Sequence, residues 1–159
     1  MIEKQNDLLT GLEFSLFTSL LKLRLSKRKE NYEASDALVE LLSDSVDPIN
    51  GIGAIESSIK MVVIDKSLQS SIALSLSLKA LTIMLKKLPI EVLEDEIPRV
   101  KEVLINGLYN EFGHVRQSSV NAIVAAHSVL RDERKLFELT QAPKEKEGLL
   151  AYYMSRALN

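Results

Sequence analysis

The stretch EFGHVRQSSVNAIVAAHSVL, residues 111–130, is the part of the sequence that decides the fold. After the turn at Gly113, apolar and small residues recur at helical spacing over residues 115–130. They occupy more than one side of the predicted helix, so other helices must enclose it. The many alanines and serines let those neighbours approach closely. The sequence therefore predicts a central helix of a helical protein.

Two polar residues of this helix are predicted to be structural. Arg116 lies in its first turn and is expected to reach the polar turn at Asn110 and Glu111, or a carbonyl of a neighbouring repeat. His127 falls on the apolar side and is expected to be a hydrogen-bonded interior residue.

The remainder of the chain has the same helical periodicity. We predict an all-α fold, a HEAT-repeat α-solenoid of about 7–8 helices forming a single domain over residues 1–159. The repeats, at about 40 residues, are too degenerate to align by eye. The segments predicted as helices are residues 6–25, 31–42, 54–64, 66–88, 90–109, 115–130 and 143–157.

Local signals define the boundaries. Proline and glycine predict a loop over residues 43–53. Residues 72–81 alternate like a strand, but the long run of helix formers favours a helix. A bend or restart is expected near Asp95 and Pro98. The residues of the second helix expected to face inward are Ala37, Leu38, Leu41 and Leu42.

Composition indicates a globular chain and limits the classes of function. The chain is 46% hydrophobic and 26% charged. With 159 residues it is long enough to bury about 68–70% of the surface that the unfolded chain exposes. There is no cysteine, which fits a reducing compartment and excludes a thiolate metal site and a cysteine nucleophile. A net charge of −2 gives no overall attraction for nucleic acid. No signal peptide or uninterrupted membrane-spanning run is found, so no membrane insertion is expected.

No catalytic or cofactor-binding constellation is found in the sequence. The only two histidines, His114 and His127, are about 20 Å apart along a helix at 1.5 Å per residue, too far to share a metal. The pair of glycines at residues 51 and 53 lacks the preceding strand and third glycine of a dinucleotide site. We therefore expect no enzyme activity, no cofactor and no metal.

The first predicted helix, residues 6–25, carries two separate apolar arcs. One arc can face the core, and the second must be covered by something else. A terminal helix of a solenoid normally turns a polar face to water. One hypothesis is a two-fold interface in a homodimer. The alternative is that the arc packs on residues 31–64 or on preceding parts of a longer chain. The residues of this arc are Phe14, Phe17, Leu21 and Leu25.

Two further surfaces are candidates for partners. Aromatic residues and methionine are enriched at interfaces, which points to Tyr152, Tyr153 and Met154. A basic turn could contact an acidic partner, and its residues are Lys27, Arg28 and Lys29.

The second half of the chain, roughly residues 88–158, resembles the last HEAT repeats of the CLIP-associating proteins (CLASPs). The matching features are a Leu-Pro-like pair opening a helix, a polar turn, a valine-arginine pair, an alanine-histidine run and a final tyrosine with a basic-alanine pair. In the same order, these features correspond to Ile97 and Pro98, to Asn110 and Glu111, to Val115 and Arg116, and to Ala125 to His127. The final tyrosine corresponds to Tyr152 or Tyr153, and the basic-alanine pair to Arg156 and Ala157. The first half is divergent, as in a fungal member, although residues 47–50, DPIN, also match.

The resemblance implies the C-terminal, TOG-like domain of a longer microtubule-stabilising protein. Such a domain is expected to form homodimers and to bind adaptors at the spindle, kinetochores or microtubule plus ends, while tubulin is bound through other domains. Its expected location is the cytoplasm and cytoskeleton, including spindle, kinetochore and nucleus. The alternative is a TOG domain that binds tubulin directly through the basic turn; the chain has no tryptophan, a residue that TOG turns use for this contact. A further alternative is an unrelated HEAT scaffold.

Overall fold

The structure is a computed structural model that describes residues 12–25, 29–62 and 67–158; the side chains of residues 29–33, 62 and 158 are not included in that description. Every regular element in these ranges is an α-helix, which confirms the all-α prediction. The eight described helices are α1 Glu13–Arg24, α2 Lys29–Ser45, α3 Pro48–Val62, α4 Leu68–Lys86, α5 Ile90–Leu108, α6 Gly113–Leu130, α7 Glu133–Thr140 and α8 Lys144–Leu158.

Each helix packs against the next helix but one. The contacts α1 with α3, α3 with α5 and α5 with α7 form one layer, and α2 with α4, α4 with α6 and α6 with α8 form the other. The layers are joined chiefly where α1 meets α2, α3 meets α4 and α5 meets α6. The most extensive contact joins α4 to α6, so these two helices form the centre of the core.

The central position of α6 agrees with the sequence prediction. Its buried residues lie on several sides and include Val115, Ile123 and Ala126. Helix α6 lies close to α5, because Gly107 of α5 lies directly on Ser119 of α6 and there is no room for a Cβ at position 107. Small residues thus set the separation of these helices.

The strand-like segment is helical, as predicted. Ser67 caps α4 by accepting a hydrogen bond from the Ser70 amide, and Ser77 donates to the carbonyl of Ala73 at 3.0 Å. In the described part of the chain, α4 is the one helix long and apolar enough to cross a membrane. Just over half of its apolar window is buried, and core helices of soluble proteins pass the same test.

Of the loop predicted over residues 43–53, only residues 46–47 lie outside the helices, because α2 runs to Ser45 and α3 begins at Pro48. Proline is favoured at the first helical position. The Asp47 carboxylate accepts a hydrogen bond from the Asn50 amide at 3.1 Å and so caps the helix. Gly51 lies inside α3, where a Cβ would be 2.6 Å from Cε of Met84 and 2.9 Å from Cγ2 of Val46.

Two other boundaries differ from the prediction. The connector after Leu130 contains a short helix, α7, capped by the Asp132 side chain and anchored by the buried Leu136. The break expected near Asp95 and Pro98 does not occur, since α5 runs through both residues as one helix.

The orientation predicted for α2 is also wrong. Its buried residues are Ser35, Val39 and Ser43, and Val46 just after the helix is also buried. Three of the four residues predicted to face inward, Ala37, Leu38 and Leu41, are exposed, and Leu42 is partly buried.

Candidate interaction surfaces

The apolar arc predicted on α1 is mostly interior. Phe17 is only 2% exposed and Leu21 is equally buried, while Leu25 is partly buried against the core. Phe17 and Leu21 adjoin Ile55 of α3 and Leu76 of α4. As interface residues Phe17 and Leu21 are therefore corrected to core residues. The arc packs largely on residues 31–64 and α4, close to the alternative left open by the sequence.

Phe14 remains at the surface, 38% exposed, in a shallow depression of about 390 Å³ between α1, α3 and α5. Ile49 forms another apolar part of its wall, and Arg99 lies at its edge. The Arg99 guanidinium is fixed by two hydrogen bonds of 3.0 and 3.1 Å to the buried carboxylate of Glu96. This depression can accept an apolar side chain beside a fixed ion pair.

The predicted surface on α8 is smaller than expected. Met154 is buried, which corrects its assignment to an interface. Tyr152 is exposed and lies edge-on to the half-buried Tyr153, with ring centroids 5.3 Å apart. Arg156 donates a hydrogen bond to the Tyr152 hydroxyl at 3.1 Å. The accessible part of this surface on α8 is therefore the pair formed by the Tyr152 ring and the Arg156 guanidinium.

The basic turn cannot be placed. Lys27 and Arg28 lie outside the described residues, and Lys29 begins α2 with its side chain outside the description. The prediction of an acidic partner at this turn stays a prediction.

Arg116 holds the turn before α6. Its guanidinium donates to the carbonyls of Asn110 at 2.8 Å and Glu111 at 2.9 Å. His127 is buried as expected, but its ring forms no hydrogen bond with the part of the chain that the structure describes. Arg116 therefore stabilises a turn, and His127 lies in the interior of the protein.

An open groove of about 610 Å³ runs beside α2, α4 and α6. At one edge, His114 Nε2 is 2.9 Å from Ser71 Oγ. The Ser71 hydroxyl also lies 2.6 Å from the carbonyl of Leu68, to which it donates its only proton. His114 must then be the donor to Ser71, so the pair is not arranged to activate a serine nucleophile.

The ionisable groups with shifted pKa values lie elsewhere. The hydrogen bond to Glu145, followed by desolvation and the charge of Glu145, raises the pKa of Tyr109 above its ordinary value of 10.0. Likewise, a 2.6 Å hydrogen bond to Glu94 raises the pKa of Lys135 above 10.5. Both pairs tie α5 to α7 or α8 at exposed positions, and neither lines the groove.

One apolar surface was missed because the predicted orientation of α2 was wrong. We name it the α2 stripe, and its residues are Ala34, Ala37, Leu38 and Leu41, all exposed. Leu41 is 65% exposed and Leu38 is 44% exposed. Their spacing of three and four residues was visible in the sequence, but the same spacing fits a buried face.

The described residues contain no group of three or more side chains able to hold a metal ion. Comparison of the chain with protein-family models and with curated protein sequences finds no match.

Proposed function

We propose that this chain is a HEAT-type α-solenoid that serves as a non-catalytic protein-interaction and homodimerisation module. The observation that carries the proposal is the packing of each helix on the next but one, in two layers. Stacked helical repeats pack in this way, and they present long surfaces to partners.

Exposed apolar side chains support a role in binding. The described residues at the start of the stack expose Leu12, Phe14, Leu16, Leu38 and Leu41. Large apolar side chains that stay exposed on neighbouring helices are typical of an interaction surface.

The resemblance of residues 88–158 to CLASPs supplies the biological setting of the proposal. The module then associates with a second copy and binds adaptors that place a microtubule-stabilising protein on the spindle, kinetochores or plus ends. Phe14 and Tyr152 are the accessible residues of the two surfaces expected from the sequence. We assign adaptor binding to them, since Phe17, Leu21 and Met154 are buried.

A fluorescent fusion of the chain, expressed in dividing cells, tests this setting. Enrichment at the spindle or plus ends that is reduced by Phe14→Glu or Tyr152→Glu supports adaptor binding. An exposed lysine changed to glutamate, Lys60→Glu, is the control for added negative charge. Uniform distribution of the wild-type fusion argues against the CLASP-type role.

Microtubule co-sedimentation of the purified chain separates the proposal from direct tubulin binding. The proposal predicts that the chain stays in the supernatant. Salt-sensitive pelleting that is lost when Lys27, Arg28 and Lys29 are changed to alanine would favour the TOG-type alternative.

A further inference from the structure

We propose that the α2 stripe is the surface through which two copies of this chain associate, with α2 antiparallel to α2 of the partner. The two-fold axis passes between Ala37 and Leu38. This inference rests on the proposed function in one respect, that the chain self-associates.

The rotation of α2 is the first argument. The helix buries Ser35 and Ser43 in the core and leaves Leu38 and Leu41 in water. Within the described residues, the Ser43 hydroxyl has no hydrogen-bond partner. The outer side of α2 therefore keeps two leucines exposed, where a partner can cover them.

Three ion pairs hold α2 in this rotation. Asp36 meets Arg24 of α1 at 3.3 Å, Glu40 meets Lys79 at 3.1 Å and Asp44 meets Lys87 at 2.9 Å. The acidic residues recur every four positions and so lie along one side of the helix.

Two backbone and side-chain hydrogen bonds reinforce this arrangement. Arg24 donates to Ser35 Oγ at 3.1 Å, and Lys87 donates to the carbonyl of Ser43 at 2.9 Å. These polar contacts lie on the side of α2 next to its buried face and do not involve the α2 stripe.

The stripe is complementary to itself only when reversed. Along the chain it reads Ala34, Ala37, Leu38, Leu41, two small residues followed by two large ones. In the antiparallel pair Leu41 faces the partner's Ala34, and Leu38 faces the partner's Ala37. Large side chains thus meet small ones at both ends, as interdigitating helices require.

The charges beside the stripe permit this pairing. An antiparallel pair brings the acidic sides of the two helices near each other. Because Asp36, Glu40 and Asp44 are each paired with a cation of their own chain, this approach does not oppose uncompensated negative charges.

The size of the stripe sets the strength of the dimer. Four residues bury much less than the roughly 800 Å² per partner of a standard interface. We therefore expect a concentration-dependent dimer that dissociates on dilution.

Light scattering on a sizing column, across a hundredfold range of concentration, tests the surface. Leu41→Glu is expected to raise the dimer dissociation constant at least tenfold with helical content unchanged, since this side chain makes no core contact. Met61→Glu is the matched control, because Met61 is 64% exposed and also lies near a helix C-terminus.

Disulfide cross-linking tests the symmetry, and the chain contains no cysteine of its own. Cysteine at position 37 lies beside the axis, so Ala37→Cys is expected to link to its own mate. Leu41→Cys is not expected to link to itself, because residue 41 of the second copy is displaced by about 10 Å along the helix axis at 1.5 Å per residue. Equal amounts of Leu41→Cys and Ala34→Cys chains are expected to form the mixed dimer.

The outcomes are separable. A wild-type dimer that Leu41→Glu leaves intact overturns the α2 assignment while self-association survives. A wild-type monomer at every concentration overturns both this inference and the homodimerisation part of the proposed function. Efficient self-linking of Leu41→Cys overturns the antiparallel arrangement.

Discussion

Replacing Gly107 with alanine tests the close contact between α5 and α6. A Cβ at Gly107 would lie 2.9 Å from Cβ of Ser119 and would overlap its hydroxyl. Rotation of the Ser119 side chain removes the overlap with its hydroxyl. It does not remove the short distance between the two β-carbons, because the backbones fix their positions. The two helices must then move apart, which disturbs packing at the centre of the core.

The magnitude follows from a matched substitution. Gly148 lies in α8 with nothing within 4 Å of a built Cβ, so Gly148→Ala should stabilise the protein by about 0.5–1 kcal/mol. Overpacking costs about 1–3 kcal/mol. Gly107→Ala should therefore lower the free energy of unfolding by about 1–2 kcal/mol, and the Tm by about 2–8 °C.

Urea unfolding followed by circular dichroism measures both variants. Adding Ser119→Gly to Gly107→Ala vacates the space for the new methyl group, so the double-mutant cycle should give a favourable coupling of about 1 kcal/mol or more. Stabilisation of Gly107→Ala equal to that of Gly148→Ala, or an absence of coupling, would refute the packing argument.

Four further substitutions test other contacts. Phe17→Ala should cost about 3–5 kcal/mol in urea unfolding, whereas Phe14→Ala should cost less than about 1 kcal/mol, because only Phe17 is in the core. Glu40→Gln should cost less than about 1 kcal/mol in low salt and lose that effect in high salt, since its ion pair with Lys79 is exposed. Glu145→Gln should lower the pKa of Tyr109 towards its ordinary value in a spectrophotometric titration. Because folding raises this pKa, the contact contributes stability below about pH 10 that is lost as pH rises through the folded value; an unchanged titration would contradict the hydrogen bond.

Much of the fold was predictable because helical periodicity is a local property. The central position of residues 115–130 and the helical state of residues 72–81 followed from the spacing and type of neighbouring residues. The loop over residues 43–53 was mispredicted because proline and glycine are ambiguous signals. Pro48 starts a helix, and Gly51 lies inside that helix beside the distant Met84, a contact that no local pattern reveals.

The candidate surfaces were less predictable than the helices. Phe14 and Phe17 are both apolar and three residues apart, yet only Phe17 meets α3 and α4 in the core. On α2 the leucines fit an inward face by period alone. In the structure Val39 meets the core instead of these leucines, and the acidic residues of α2 pair with cations up to 43 residues away in the chain.

The sequence by itself determined the all-α class and most of the helical segments, because backbone propensity and apolar spacing act over a few residues. Tertiary structure alone decided which apolar side chains became core and which stayed at the surface. Burial depends on what packs against each face, and on α2 the neighbouring helices cover Val39 while Leu38 and Leu41 stay exposed. A helical period identifies the members of a face, whereas the direction of that face is fixed by contacts between distant parts of the chain.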